Sequence, residues 1–124
     1  RKRYMNFEDA LAAAAAGDVA VARQFFRPVD QATTTLILKH QETVKFHYDD
    51  VMPWTSLRRE FDLTFQGAPL ASWWEEYCGY YGCMGTGWWV DDNEGDGPPE
   101  GLETLLNELG VRLPDITVPE PPKV

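Results

Sequence analysis

The clearest periodic signal lies near the start of the chain. Asn6 is a good N-cap, and Glu8 and Asp9 place negative charge in a first helical turn, where the helix dipole favours it. Leu11 and the alanine run 12–16 carry high helix propensity, and Gly17 stops the helix as a C′ residue. Such a helix is thin and smooth, so it can lie close against a sheet or another helix. From Asp18 to Phe65 the pattern changes to short strands. Val19, Val21 and Phe25 predict a first one over residues 19–26, residues 27–30 a turn, and the β-branched or apolar residues 33–39 a second strand. His40, Gln41 and Glu42 read as a hairpin connection. Residues 43–48 then alternate, with Val44, Phe46 and Tyr48 on one face and Thr43, Lys45 and His47 on the other, the mark of a half-buried antiparallel strand whose His47 faces water or a groove. Asp49 and Asp50 end it, residues 52–56 begin a new segment, and Phe61, Leu63 and Phe65 alternate again as an edge or closing strand. One helix on an antiparallel sheet, an α+β fold, is the expectation.

Beyond Gln66 the texture differs. Residues 1–66 read as a helix-plus-sheet, ligand-binding body, and residues 67–124 as an aromatic, acidic extension with one or two short helices, packed on the same single domain. Residues 70–77 predict two helical turns carrying Trp73 and Trp74, followed by a glycine-rich aromatic turn. A last helix is predicted over residues 99–109, with Pro99 at N1, leucines at 102, 105, 106 and 109, and Gly110 at C′. Prolines at 114, 119, 121 and 122 then predict an extended tail.

Charge sharpens that division. The 124 residues carry a formal net charge of −9, and from Asp91 onward nine acidic residues stand against two basic ones. The remainder is nearly neutral. A polyanion has no counterion-release drive toward nucleic acid and is repelled by an anionic membrane surface. No apolar run approaches the roughly 20 residues that cross a bilayer, and residues 1–9 lack a secretory pattern, so a cytoplasmic location is expected.

Candidate chemistry is sparse. Cys78 and Cys83 form a C-x4-C pair, but with only His40 and His47 as histidines the expectation is two ordinary thiols and no metal. Counted from Asp92, the acidic run matches a calcium loop at Glu94, Asp96, Gly97 and Glu103, yet Pro98 and Pro99 oppose its mechanics; a solvated turn is the plainer reading. No nucleophile triad or phosphate loop is present, which favours a binding protein without a cofactor over an enzyme. Aromatic rings beside cations and hydroxyls are what a base-bearing, phosphorylated ligand wants, and Trp54, Thr55 and Ser56 are followed closely by Arg58 and Arg59.

Residues 5–11 (Met-Asn-Phe-Glu-Asp-Ala-Leu), Gly17, then Val21-Ala22-Arg23 with Phe25 and Phe26 resemble the opening of a family of small phage proteins, the second Thoeris anti-defence (Tad) type. Pro53-Trp54-Thr55 with Ser56 and the downstream Asp62 resemble a later segment of that family. The resemblance covers about residues 5–65. It implies an oligomeric α+β sponge that sequesters a cyclic nucleotide or cyclised ADP-ribose immune signal without reaction. Arg23 and Arg58 or Arg59 would then contact phosphates, Trp54 or Phe26 stack a base, and Thr55 and Ser56 bond ribose or phosphate oxygens. A second reading uses the acidic surface at Asp91, Asp92, Glu94 and Asp96 to block a basic site on a host defence protein, as a nucleic-acid mimic does.

Overall fold

A computed structural model describes residues 6–26, 36–79, 84–90, 93–96 and 99–123. The first helix, α1 (Phe7–Ala15), forms as its sequence dictates. The Asn6 side chain accepts from the Asp9 backbone N–H at 2.8 Å, and the Asp9 carboxylate accepts from the Asn6 N–H at 3.3 Å, a reciprocal capping box. Gly17, at φ 85°, ends it. The expected strand over residues 19–26 is instead helical: Asp18 caps α2 (Val19–Ala22) by accepting from the Val21 N–H, and a 3-10 turn (Arg23–Phe26) follows. A side-chain cap and an alanine-rich turn here outweigh β-branching at Val19 and Val21.

Five strands form one antiparallel sheet in chain order: β1 (Leu36–His47), β2 (Trp54–Phe65), β3 (Ala68–Cys78), β4 (Met84–Val90) and β5 (Asn93–Asp96). Three expectations are corrected. Residues 40–42 do not turn but continue β1, each opposite a residue of β2. The segment with Phe61, Leu63 and Phe65 is not at an edge, since β2 lies between β1 and β3. Residues 70–77 are strand rather than helix. The cause is Gln66-Gly67, whose φ values of 54° and 79° make a two-residue turn of the kind that folds a hairpin, with Phe65 opposite Ala68. Once that turn forms, Trp73, Trp74 and Tyr77 favour the strand. The expected boundary at residue 66 falls within this turn, and the sheet runs through it. Residues 27–35, including the expected turn and the start of the second expected strand, lie outside the described residues.

One face of the sheet is covered in two parts. At the end where β2 finishes, α1, α2 and α3 (Leu102–Glu108) pack on Phe61, Leu63, Ala71, Trp73 and Val90. Phe7, Phe25, Phe26 and Phe65 interlock there at centroid separations of 4.9–6.1 Å. Pro99 is not the first helical residue of α3; Gly101 precedes it, with φ 87°. A Cβ at Gly101 would collide with the Leu11 carbonyl oxygen of α1. The smooth alanine helix thus meets another helix at backbone distance. At the other end of the same face, Thr55 and Leu57 are also buried, but outside the helical cluster. Residues 111–123, which have no regular structure, run past them: the Pro114 carbonyl accepts from Arg59, and the Pro122 carbonyl accepts from the Tyr48 hydroxyl at 3.2 Å. The proline-rich tail is therefore a second cover for the sheet. It stops short of β1, where Val44 and Phe46 are about 40% exposed, so the expected half-buried strand is an edge with its apolar face largely open.

Arg59 is the pivot of the lower cover. Its side chain is 2% exposed; Nε and one terminal nitrogen donate to the same Glu75 oxygen at 3.0 and 2.5 Å, and the other donates to Pro114 at 2.6 Å. The Tyr77 hydroxyl donates to that Glu75 oxygen at 3.0 Å. Burial, then the bond to Glu75 and its negative charge, push the Tyr77 hydroxyl above the ordinary tyrosine range, with Arg59 opposing.

Two outcomes follow from this network. Glu75→Ala leaves a buried guanidinium without its counter-charge and is expected to cost about 3–5 kcal/mol in urea unfolding, whereas Arg59→Leu with Glu75→Leu recovers only part of that loss, because the Pro114 carbonyl and the Tyr77 hydroxyl lose their partners. Because Tyr77 has a raised folded pKa, its contribution is complete below about pH 10 and is lost as pH rises through the folded value. Tyr77→Phe is expected to make the alkaline decline in stability shallower, read by thermal melts from pH 8 to 11.

Candidate functional site

Adjacent strand residues point to opposite faces, so Arg58 and Arg59 part company on β2. Arg59 joins the covered face; Arg58 joins the open one with Trp54, Ser56, Glu60 and Asp62 of β2, Ser72, Trp74 and Glu76 of β3, Trp89 of β4, and Glu94 and Asp96 of β5. In this open face lies a groove of about 650 Å³. Ser72 and Gly87 give it a low floor, Trp74 and Trp89 supply aromatic walls, Glu60 and Asp62 line one side, and Glu94 and Asp96 line the other. The Ser72 hydroxyl donates to Asp62 at 2.7 Å and fixes that carboxylate. Among the described residues no Lys or Arg lines it, although Arg58 borders it on Trp74 and Lys39 of β1 stands opposite Asp62 on the same face.

The groove exists because of a match between large and absent side chains across β3 and β4. Trp74 stands opposite Gly87, and its indole lies across Gly85 and Gly87. A Cβ at Gly87 would strike the indole Nε1 and sit 2.8 Å from Cε2; at Gly85 it would meet the ring at 3.4 Å, ordinary contact. On the covered face Trp88 lies across Gly95 of β5 in the same manner. Aromatic rings thus pack over strand glycines that would otherwise weaken the sheet. Arg58 completes the arrangement, its guanidinium carbon 4.5 Å from the Trp74 ring centroid and its Nε donating to Glu60 at 3.1 Å, with Glu76 at 3.8 Å.

Of the residues singled out for a phosphorylated ligand, Trp54, Ser56 and Arg58 share the open face of β2, while Arg23, Phe26, Thr55 and Arg59 lie elsewhere. Arg23 is exposed on the 3-10 turn at the helical end, and Phe26 is 8% exposed inside the aromatic cluster, leaving no free ring face for a base. Thr55 and Arg59 are buried on the covered face, and the Arg59 charge is committed to Glu75. Trp54 stacks on His47 at 3.8 Å, and His47 Nε2 lies 3.0 Å from the Ser56 hydroxyl. A smaller cleft of about 500 Å³ between Trp54, Thr55, Gly79 and tail residues 118–121 is lined by proline, valine and Glu120, with no cation among the described residues. The Thr55 hydroxyl is buried there with no partner among the described residues.

Of the four acidic residues expected on a protein-binding surface, Glu94 and Asp96 lie on the groove, while Asp91 and Asp92 fall outside the described residues. Glu94 and Asp96 belong to a strand rather than a solvated turn. Cys83 is likewise outside the described residues. Among the described residues no group of three metal-ligating side chains forms, and no helix is long and apolar enough to cross a membrane. Trp74, Trp89, Glu60 and Asp62 were not anticipated as site residues. The signal for Trp74 was present as Gly85 and Gly87 downstream of a tryptophan pair, but it becomes legible only when residues 70–77 are read with a period of two.

Both histidines are engaged in local contacts: His47 as above, and His40 stacked on Phe61 at 4.9 Å with Nε2 3.2 Å from Glu42. Asp49 holds the β1–β2 turn by accepting from the Val51 and Met52 N–H groups at 2.9 Å each, and those backbone bonds keep its carboxyl below the usual range.

The indole–glycine match gives a direct check on the groove. Gly87→Ala is expected to lift Trp74 from the floor, changing the near-UV circular dichroism and costing about 1–3 kcal/mol, while Gly85→Ala leaves the aromatic spectrum nearly unchanged. Comparison of the chain with protein-family models, with curated proteins and with solved structures finds no match.

Proposed function

We propose that the protein is a binding module that docks its open sheet face on a basic surface of a partner protein and so occludes it. The observation that carries this reading is the groove in which two tryptophans lie between the carboxylate pairs Glu60/Asp62 and Glu94/Asp96. Carboxylates on both sides raise the local concentration of a cationic partner and orient its approach, while indole faces supply apolar area and attraction for a cation. An anionic nucleotide signal meets four carboxylates in this groove, and the cations a sponge would use are spread over Arg23 at the helical end, Arg59 in the covered face, and Arg58, Lys39 and Lys45 toward the β1 side of the open face. Binding rather than catalysis fits the histidines' packed, structural contacts. A basic site blocked in this way is one that would otherwise hold a nucleic acid or another acidic ligand, which is the sense in which the protein would act as an inhibitor.

Tryptophan fluorescence titration with a blocked decapeptide of alternating arginine and lysine tests this reading, with cyclic dinucleotides and cyclised ADP-ribose isomers as the competing arm. Saturable quenching by the peptide is expected, weakening ~10-fold or more between 0.05 and 0.5 M salt. The variant with Glu60→Gln, Asp62→Asn, Glu94→Gln and Asp96→Asn is expected to lose it. Inert peptides together with tight binding of a cyclic nucleotide would overturn the proposal in favour of the sponge.

A further inference from the structure

Three indoles stand on the open face, Trp54, Trp74 and Trp89, and the last two each have a carboxylate directly across on the neighbouring strand. Trp74 on β3 is opposite Glu60 on β2, and Trp89 on β4 is opposite Glu94 on β5. In the first pair the arrangement is filled from within: the Arg58 guanidinium lies over Trp74 and donates to Glu60. In the second pair, among the described residues, no cation lies over Trp89, and Glu94 is exposed beside it with Asp96 one strand repeat further along. The fold therefore presents the same indole and carboxylate twice, once with its arginine and once without.

We infer that Trp89 and Glu94 form a receptor for an arginine side chain of the partner, a guanidinium-reading site within the groove. This deepens the proposal that the open face docks on a basic surface, and it rests on that proposal. A guanidinium is planar and weakly hydrated, so it can lie on an indole while its N–H groups reach a carboxylate at the ring's edge; Arg58 does both on Trp74. A lysine ammonium is a compact, strongly hydrated charge that gains from the carboxylates but loses the stacking. The floor beside Trp89 suits a flat group, because the short side chain of Ser72 stands directly opposite Trp89. Asp96, on the same face as Glu94 and about 6.7 Å along the strand, offers a second acceptor to the partner's next cation.

The test compares blocked hexa-arginine and hexa-lysine peptides, equal in length and charge, by fluorescence titration and calorimetry on the full chain. The wild type is expected to bind hexa-arginine about tenfold more tightly. Glu94→Gln, an exposed change that leaves the core intact, is expected to weaken both peptides through the lost carboxylate and to weaken hexa-arginine more, bringing the ratio close to one. Trp89→Leu is expected to bring the ratio close to one as well. Equal affinities in the wild type, or an arginine preference that survives Glu94→Gln, would overturn the arginine receptor and leave the basic-partner reading standing. If neither peptide binds at low salt, the broader reading falls and takes the receptor with it.

Discussion

The Arg59 guanidinium, held by a single Glu75 oxygen and by the Pro114 carbonyl, is the interaction on which the architecture turns. Three small helices reach only half of the covered face, and the other half would leave Leu57 and Thr55 in water. An extended segment with four prolines cannot add a strand to the sheet, so it needs an anchor of another kind. A buried arginine provides one, since its planar fork donates to a backbone carbonyl on one side and to a carboxylate on the other. With the helices and the tail over β2 to β4, that face is left open only along the β1 edge at Val44 and Phe46, while the opposite face carries the groove.

The open face is shaped by the same alternation that buries Arg59. Arg58 emerges beside it on the other side of β2 and settles on Trp74, while the glycines at 85 and 87 let that indole lie low across β4. A strand normally loses stability at glycine, and here the cross-strand indole fills the space. Side-chain packing and groove formation are thus one event: the missing side chain at Gly87 lowers the floor, and the ring that covers the glycine forms the wall. Carboxylates from β2 and β5, which are distant in sequence, then face each other across it. The acidic character that seemed to belong to the region after Asp91 is in fact shared with Glu60 and Asp62 of the body.

Where local signals were strong, the chain could be read from its residues. The capping box at Asn6 and Asp9, the glycine stops at 17 and 110 and the α+β character follow from local chemistry. The misreadings share a cause. Residues 19–26 look like a strand until Asp18 is seen to cap them, and residues 70–77 look helical until the turn at Gln66-Gly67 sets their direction. In both cases one turn or cap residue outweighs the pattern it precedes. The candidate site was less legible still. Glu94 and Asp96 could be picked out by their charge, but Trp74 and Trp89 act through register with residues on other strands, and register is a property of the assembled sheet. Phe26 and Arg59, chosen as ligand contacts for their chemical type, are consumed by the core because type alone does not tell which side of a strand or helix a residue occupies.

The central claim is that the groove between β2 and β5 is the binding surface. Heteronuclear NMR of the isotopically labelled chain, titrated with the blocked hexa-arginine peptide, tests it most directly. The account predicts that the indole N–H signals of Trp74 and Trp89 and the backbone amides of Ser72, Glu94 and Asp96 shift together and saturate, while those of Arg23, Phe26 and α1 stay in place. Saturable shifts centred on the helical end or on Trp54, with the groove signals unmoved, would contradict it.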